Sequence, residues 1–195
     1  MGPPSIPLQP DANGTTTPDS KSCSTVTGAD PPPHFGDIMS SRETSVLIPE
    51  GYTPLERILL TANGNVQRIL SAYHNAKVTV EILKNELASS LDDVPAIFHR
   101  KVLLIIKGKT CCTANSTVII RDEKYLRLLV DQHVGIGQLF RYLNILPEFA
   151  LTKVGRDPAG NGFWRKYTLS SPGIVCEIHE DFPPHVFELD NGASP

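Results

Sequence analysis

Two predicted strands carry a charged residue on a face that is otherwise apolar. Residues 98–106 alternate so that Arg100 falls on the apolar face of the first strand, and residues 174–182 place Glu180 in the same way on the second. A guanidinium and a carboxylate are expensive to bury unless each has a partner. The apolar residues that share these two faces are Phe98, Val102, Leu104 and Ile106, and Cys176, Ile178 and Phe182.

Two interpretations of these charges are open at the level of sequence. Arg100 and Glu180 could pair with each other across a sheet, since many buried ion pairs are only structural. Alternatively, both could point into a cavity and hold a small acidic or hydroxylated molecule. The second interpretation predicts a ligand site, which requires other elements of the chain to enclose the two charged side chains.

Composition excludes several classes of function. The chain has 195 residues and a formal net charge of −3, which gives no electrostatic reason to bind nucleic acid. No apolar run is long enough to span a membrane, and the N-terminus lacks the pattern of a secretory signal. The spacing of cysteines and histidines fits neither a zinc site nor a disulfide framework. We therefore expect a cytoplasmic protein with no metal and with free thiols at Cys23, Cys111, Cys112 and Cys176.

The chain divides into three parts by composition. Residues 1–45 are rich in Pro, Ser and Thr and show no hydrophobic period, which predicts a disordered tail. Residues 46–188 carry the periodic segments and form the predicted domain. Residues 189–195 are expected to be a flexible C-terminus.

Within the domain, helix signals come first and strand signals dominate later. Thr53 to Glu56 has the pattern of a capping box with proline at the first helical position, and Asn63-Gly64 separates this helix from a second one. Residues 77–86 alternate as a half-buried strand, and Lys107-Gly108 predicts a hairpin turn after the Arg100 strand. Two more helices are predicted, one after Asp122 that carries Tyr125, Leu128 and Leu129, and one over residues 138–143.

Three further strands complete the predicted architecture, over residues 110–120, 148–156 and 163–170. Short turns join the consecutive strands, including 163–170 to 174–182, which favours antiparallel pairing. The prediction is therefore an α+β fold with a single antiparallel sheet of about six strands. Its helices and two lid loops, at Asn63-Gly64 and residues 135–137, are expected to enclose a ligand cavity.

Residues 54–187 resemble the chorismate lyase family, especially its archaeal and mycobacterial branch. The segment 57–70 looks like the opening of that branch, and Arg100, ahead of the hairpin glycine, is similar to the family's substrate-binding arginine. Glu180-Asp181-Phe182-Pro183 resembles the segment that carries the family's active-site glutamate. We prefer Glu180 to nearby Glu177 because Glu180 precedes this Phe-Pro and shares the apolar face.

The resemblance implies a reaction and a set of site residues. The reaction is the conversion of chorismate to 4-hydroxybenzoate and pyruvate without metal or cofactor. Arg100 and Glu180 would be the catalytic residues, and Asn65, Ile136 and Gly137 would bind the substrate through their backbone. The implied partner is a small carboxylate, with no nucleic acid and no membrane, and the chain is expected to be a monomer or homodimer.

Two departures from the family leave other functions open. Enterobacterial lyases have a second arginine where this chain has Asn115-Ser116-Thr117, and neither the Cys111-Cys112 pair nor the long tail is a family feature. A repurposed biosynthetic enzyme, such as a cyclase or pericyclase of secondary metabolism, is the first alternative. A non-catalytic small-molecule-binding domain is the second.

Overall fold

The computed structural model describes residues 36–39, 42–88, 95–130, 136–158 and 162–189. These residues form eight strands and four helices. In chain order they are β1 (Gly36–Met39), β2 (Thr44–Leu47), α1 (Pro54–Thr61), α2 (Val66–His74), β3 (Thr79–Leu87), β4 (Ala96–Ile106), β5 (Lys109–Ile120), α3 (Glu123–Val130), α4 (Ile136–Tyr142), β6 (Glu148–Arg156), β7 (Phe163–Ser171) and β8 (Ile174–Phe182).

Six of the strands form one antiparallel sheet in the order β3-β4-β5-β8-β7-β6. The predicted α+β class and the predicted six-stranded sheet are therefore confirmed. Strand β8 returns to lie between β5 and β7, so the two strands with predicted charges, β4 and β8, are separated by β5. Strands β1 and β2 pair with each other in a separate two-stranded sheet.

Local sequence signals explain where several elements begin and end. The hydroxyl of Thr53 accepts a hydrogen bond from the amide of Glu56, whose carboxylate accepts one from the amide of Thr53, so the predicted capping box starts α1. Lys107 and Gly108, which join β4 to β5, both have positive φ values of 49° and 77°. This is the backbone that a two-residue hairpin favours, and it confirms the predicted turn.

Three predicted boundaries or burial patterns differ from the structure. The tail was predicted to extend to residue 45, but β1 and part of β2 lie before that position; residues 1–35 lie outside the described residues. Strand β3 was predicted to be half-buried, yet Val80 and Ile82 are 39% and 44% exposed. They lie on the outermost strand, where the helix layer does not cover them. Leu189, assigned to a flexible C-terminus, is 5% exposed and packs in the core.

The helices cover one face of the six-stranded sheet and form two separate hydrophobic clusters with it. The first cluster involves α3 and α4, and the second involves α1, α2 and the chain after β8. The first contains Ala96, Phe98, Val118, Ile120, Tyr125, Leu128, Leu139, Phe140, Leu151, Tyr167, Leu169, Ile174, Cys176 and Ile178. The second contains Leu59, Leu60, Val66, Leu70, Val78, Leu104, Ile106, Cys111, Cys112, Phe163, Phe182, Val186 and Leu189.

The opposite face of the sheet is its open face, and two clefts lie against the sheet. One, of about 780 Å³, contains a histidine whose Nε2 lies 2.8 Å from an aspartate oxygen, His179 and Asp181. The other, of about 580 Å³, is lined by Arg100 and Ser116 as well as by Lys101 of the open face. In the part of the chain that the structure describes, no helix is long and apolar enough to cross a membrane.

Candidate functional site

Two neighbouring rows of residues cross the covered face between the two hydrophobic clusters, and together we call them the central belt. The strand registers place Val102, Ala114, Glu180 and Arg165 side by side in one row. The next row contains Arg100, Ser116, Ile178 and Tyr167. Because directly paired residues point to the same side of a sheet, all eight side chains belong to the covered face. The belt thus brings three charged groups into the region between two apolar clusters.

Both residues that the sequence singled out are buried in this belt. Arg100 is 4% exposed and Glu180 is 7% exposed, whereas Glu177 lies on the open face and is exposed. The choice of Glu180 over Glu177 therefore agrees with the burial of the two side chains. Strand β5 separates Arg100 from Glu180, which puts their strands about 10 Å apart.

The partner of Glu180 is Arg165, not Arg100. Arg165 Nε donates to Glu180 Oε2 over 2.7 Å, and the Tyr167 hydroxyl donates to Glu180 Oε1 over 2.9 Å. The interpretation in which Arg100 and Glu180 pair with each other is therefore wrong. Both oxygens of Glu180 are held by groups from β7, the strand next to β8.

Arg165 is the functional candidate that sequence reasoning missed. It is fully buried, with 0% of its surface exposed, and its guanidinium lies 4.3 Å from the centre of the Tyr167 ring. Its strand alternates in the same way as those of Arg100 and Glu180, because Arg165 shares a face with Phe163 and Tyr167. The same pattern that identified the other two charges would have identified this one.

Burial and charge shift the pKa values of the belt in opposite directions. Burial lowers the pKa of Arg100, although an arginine stays protonated under ordinary conditions. Burial also acts to lower the pKa of Arg165, but the adjacent Glu180 carboxylate, together with Tyr167 and Cys112, raises it above its ordinary value. The pKa of Tyr167 lies well above its usual value because the hydroxyl is buried beside that carboxylate. Tyr167 is therefore a hydrogen-bond donor, and Arg165 is a permanent cation.

One row of the belt becomes steadily less exposed from the sheet edge inward. Ile82 of β3, the edge neighbour of Val102, is 44% exposed, and Val102 is half-buried. Ala114 and Glu180 are 8% and 7% exposed, and Arg165 on β7 is 0% exposed, whereas its neighbour Val154 on the other edge strand is half-buried. In the next row, Ser116 is half-buried although it lies between Arg100 and Ile178. The charged groups therefore lie in the most buried part of the belt.

Small side chains lie in the middle of the belt. Ala114 and Ser116, both on β5, stand between Arg100 on one side and Glu180 on the other. Neither fills the space that a larger apolar residue would occupy at these positions. A guanidinium and a carboxylate therefore lie on opposite sides of an alanine and a serine.

The three predicted backbone contacts lie in the helix layer on either side of the belt. Asn65 is the residue before α2 and has a left-handed φ of 58°. Ile136 is the first residue of α4 and packs against the first hydrophobic cluster, and Gly137 follows it in the helix. Gly135, part of the second predicted lid loop, lies outside the described residues. Asn65 thus precedes a helix of the second cluster, whereas Ile136 packs against the first cluster.

The three described cysteines are free of disulfides, as predicted, and all three are buried. They are Cys111, Cys112 and Cys176, whereas Cys23 lies outside the described residues. Burial raises the pKa of Cys176 to about 12, and the nearby Arg100 opposes this shift. A thiol with such a pKa is a poor nucleophile at neutral pH. Among the described residues, no group of three or more His, Cys, Asp and Glu side chains could hold a metal ion.

Comparisons with known proteins show distant structural likeness but no match in sequence. No protein-family model matches the chain, and no curated protein matches it. The chain is similar to the crystal structure of a possible transcriptional regulator, YydK, from Bacillus subtilis subsp. subtilis str. 168. The match has 12% sequence identity and a TM-score of 0.40, and it covers 82% of this chain and 77% of that one. These comparisons do not assign the chain to a family.

Proposed function

We propose that the chain binds a small carboxylate-bearing molecule above the central belt and acts on it as a cofactor-independent carbon–oxygen lyase. The proposed reaction is the one that the sequence resemblance implies, conversion of chorismate to 4-hydroxybenzoate and pyruvate. The observation that carries the proposal is the burial of three charged groups, Arg100, Glu180 and Arg165, on one face of the sheet beside the small side chains of Ala114 and Ser116. Buried charges beside small side chains are typical of a site that holds a polar ligand.

Arg100 is the proposed binding group for the carboxylate of the ligand. A guanidinium offers two parallel donors whose spacing matches the two oxygens of a carboxylate. Because Arg100 is 4% exposed, such a contact would form largely out of water, where charge-assisted hydrogen bonds are stronger. Ser116, its half-buried neighbour on β5, would leave room for the ligand above the sheet.

Glu180 is the proposed acceptor for the ring hydroxyl of the ligand. Each of its carboxylate oxygens already accepts one hydrogen bond, from Arg165 or from Tyr167, and each oxygen has a second lone pair. In the proposed reaction the ether C–O bond breaks, and a proton leaves the ring carbon that carries the hydroxyl. The ring becomes aromatic, and the enolpyruvyl fragment gains a proton to become pyruvate. A fixed carboxylate beside the hydroxyl would stabilise this change in the ring.

The direct test is whether the protein releases pyruvate and 4-hydroxybenzoate from chorismate. Pyruvate is measured with a coupled lactate dehydrogenase assay, and 4-hydroxybenzoate is measured by chromatography. Arg100→Ala and Glu180→Gln are expected to lower kcat/KM by about 10- to 150-fold, which corresponds to the loss of a charged hydrogen bond of about 1.5–3 kcal/mol. Lys101→Ala and Glu177→Gln are matched controls, because they remove charges of the same sign on the same two strands from the open face. Equal losses in variants and controls would contradict the proposed site.

The observed bonding of Glu180 also favours a second candidate, a non-catalytic small-molecule-binding domain. A carboxylate with both oxygens held is better suited to fixed recognition than to moving protons. If the wild-type protein binds chorismate without consuming it, this candidate or a repurposed biosynthetic enzyme would replace the lyase. If the protein neither binds nor consumes chorismate, the substrate assignment fails.

A further inference from the structure

Arg165 joins three parts of the structure through one side chain. Its Nε bonds to Glu180 on β8, and its Nη1 donates to the backbone carbonyls of Leu60 and Ala62 at the end of α1. The residue itself belongs to β7. A single planar group therefore connects the belt carboxylate to the helix layer.

The contact with α1 fixes the start of the loop that leads to Asn65. The last carbonyls of a helix have no partner within the helix, and the helix dipole favours a cation at this end. Ala62 is the C-cap of α1, and residues 62–65 form the connection to α2, which we call the α1–α2 loop. Arg165 thus provides both the donor and the charge that the end of α1 requires.

The planar shape of the guanidinium makes the contact between Arg165 and Glu180 rigid. The donors of a guanidinium lie in one plane at fixed angles, so the group cannot turn towards Glu180 without also changing its bonds to the loop. The distance from Nε to Oε2 is 2.7 Å, which is typical of a charge-assisted hydrogen bond. A displacement of the carboxylate is therefore transmitted to the carbonyls of the loop.

One donor of Arg165 is not used by the described residues. Nη2 is buried and has no hydrogen-bond partner among them, although the side chain is 0% exposed. Buried polar atoms are nearly always bonded, and an exception calls for an explanation such as an absent ligand or water. An arginine whose role was only to close the core would be expected to have this donor satisfied.

We propose that Arg165 is a positioning residue that couples the Glu180 carboxylate to the α1–α2 loop. A ligand that bonds to Glu180 then also stabilises the loop that carries Asn65. The expected effect of this coupling on turnover rests on the proposed function, whereas the coupling itself is a property of the ligand-free protein. An experiment can therefore contradict the coupling without contradicting the proposed function, and the reverse also holds.

The coupling is tested first without any substrate, by hydrogen exchange of the backbone amides of residues 62–66. Glu180→Gln removes the charge that holds Arg165 and should speed this exchange about tenfold or more relative to wild type, with much smaller changes in β3 of the same protein. Glu177→Gln is the control and should leave the loop unchanged. Unchanged loop exchange in Glu180→Gln would overturn the proposal, whatever the protein does with chorismate.

The effect on turnover is tested with Arg165→Lys, which keeps one charge near Glu180 but replaces the separate Nε and Nη1 donors of the planar guanidinium by a single ammonium. If chorismate is the substrate, kcat should fall about tenfold or more, while KM stays within about threefold, because carboxylate binding by Arg100 is retained. Lys166→Met, on the exposed open face, should change neither value. A normal kcat in Arg165→Lys would overturn the positioning role while leaving the lyase proposal intact.

Discussion

Replacement of Arg165 by methionine should destabilise the protein more than most single substitutions. The change leaves Glu180, 7% exposed, without its cation and removes the donor from two carbonyls at the end of α1. Removal of one partner of a buried pair costs about 3–5 kcal/mol, because the other charge stays buried without compensation. For a chain of this size each kcal/mol lowers Tm by about 2–4 °C, so we expect a decrease of about 6–20 °C.

A triple variant separates this explanation from simple loss of packing. Arg165→Met combined with Tyr167→Phe and Glu180→Leu replaces the entire buried network by apolar side chains of similar size. Such replacements are often close to neutral, so the triple variant should be more stable than Arg165→Met alone. The free energy of unfolding of both variants is measured by urea unfolding. The signals are far-ultraviolet circular dichroism and the fluorescence of Trp164, the single tryptophan. A cost below about 1 kcal/mol for Arg165→Met, or a triple variant less stable than the single one, would refute the reasoning.

Three further predictions concern other parts of the fold. Gly155→Ala should lower stability by about 1–3 kcal/mol, because a Cβ there would overlap the Trp164 ring; a normal urea midpoint would contradict this. Burial acts to raise the pKa of Glu56, but hydrogen bonds from Arg156 and the Thr53 amide lower it below its ordinary 4.5. The stability that ionised Glu56 adds relative to Glu56→Gln should therefore be present above pH 4.5 and be lost at lower pH, as denaturant titrations at several pH values would show. Cys176, with a pKa of about 12, should resist iodoacetamide at pH 8 until the protein unfolds, as mass spectrometry can check; rapid native modification would contradict its burial.

The sequence predicted the elements of the sheet better than their order. Strands β4 to β8 were recognisable because alternation and turn residues are local signals, as at Lys107-Gly108. The order β3-β4-β5-β8-β7-β6 depends on long-range pairing, which no local pattern contains. For this reason the burial of Glu180 could be predicted, whereas its pairing with Arg165 instead of Arg100 could not.

The exposure of residues on β3 could not be predicted from the local sequence either. Its alternation of apolar residues predicted a covered face, and Val80 and Ile82 do lie on the side of the sheet that the helices cover. They are exposed because β3 is the edge strand and the helix layer ends before it. Alternation identifies the face of a residue, but the extent of the covering layer is a tertiary property.

The central claim, that a carboxylate-bearing ligand binds above the belt through Arg100, is tested most directly by isothermal titration of 4-hydroxybenzoate into the protein. The wild type and Lys101→Ala should bind this compound with similar affinity. Arg100→Ala should weaken binding by about 10- to 150-fold, the equivalent of one charge-assisted hydrogen bond, with circular dichroism confirming that the variant is folded. Equal affinity of Arg100→Ala and the wild type, or no detectable binding by the wild type, would contradict the account.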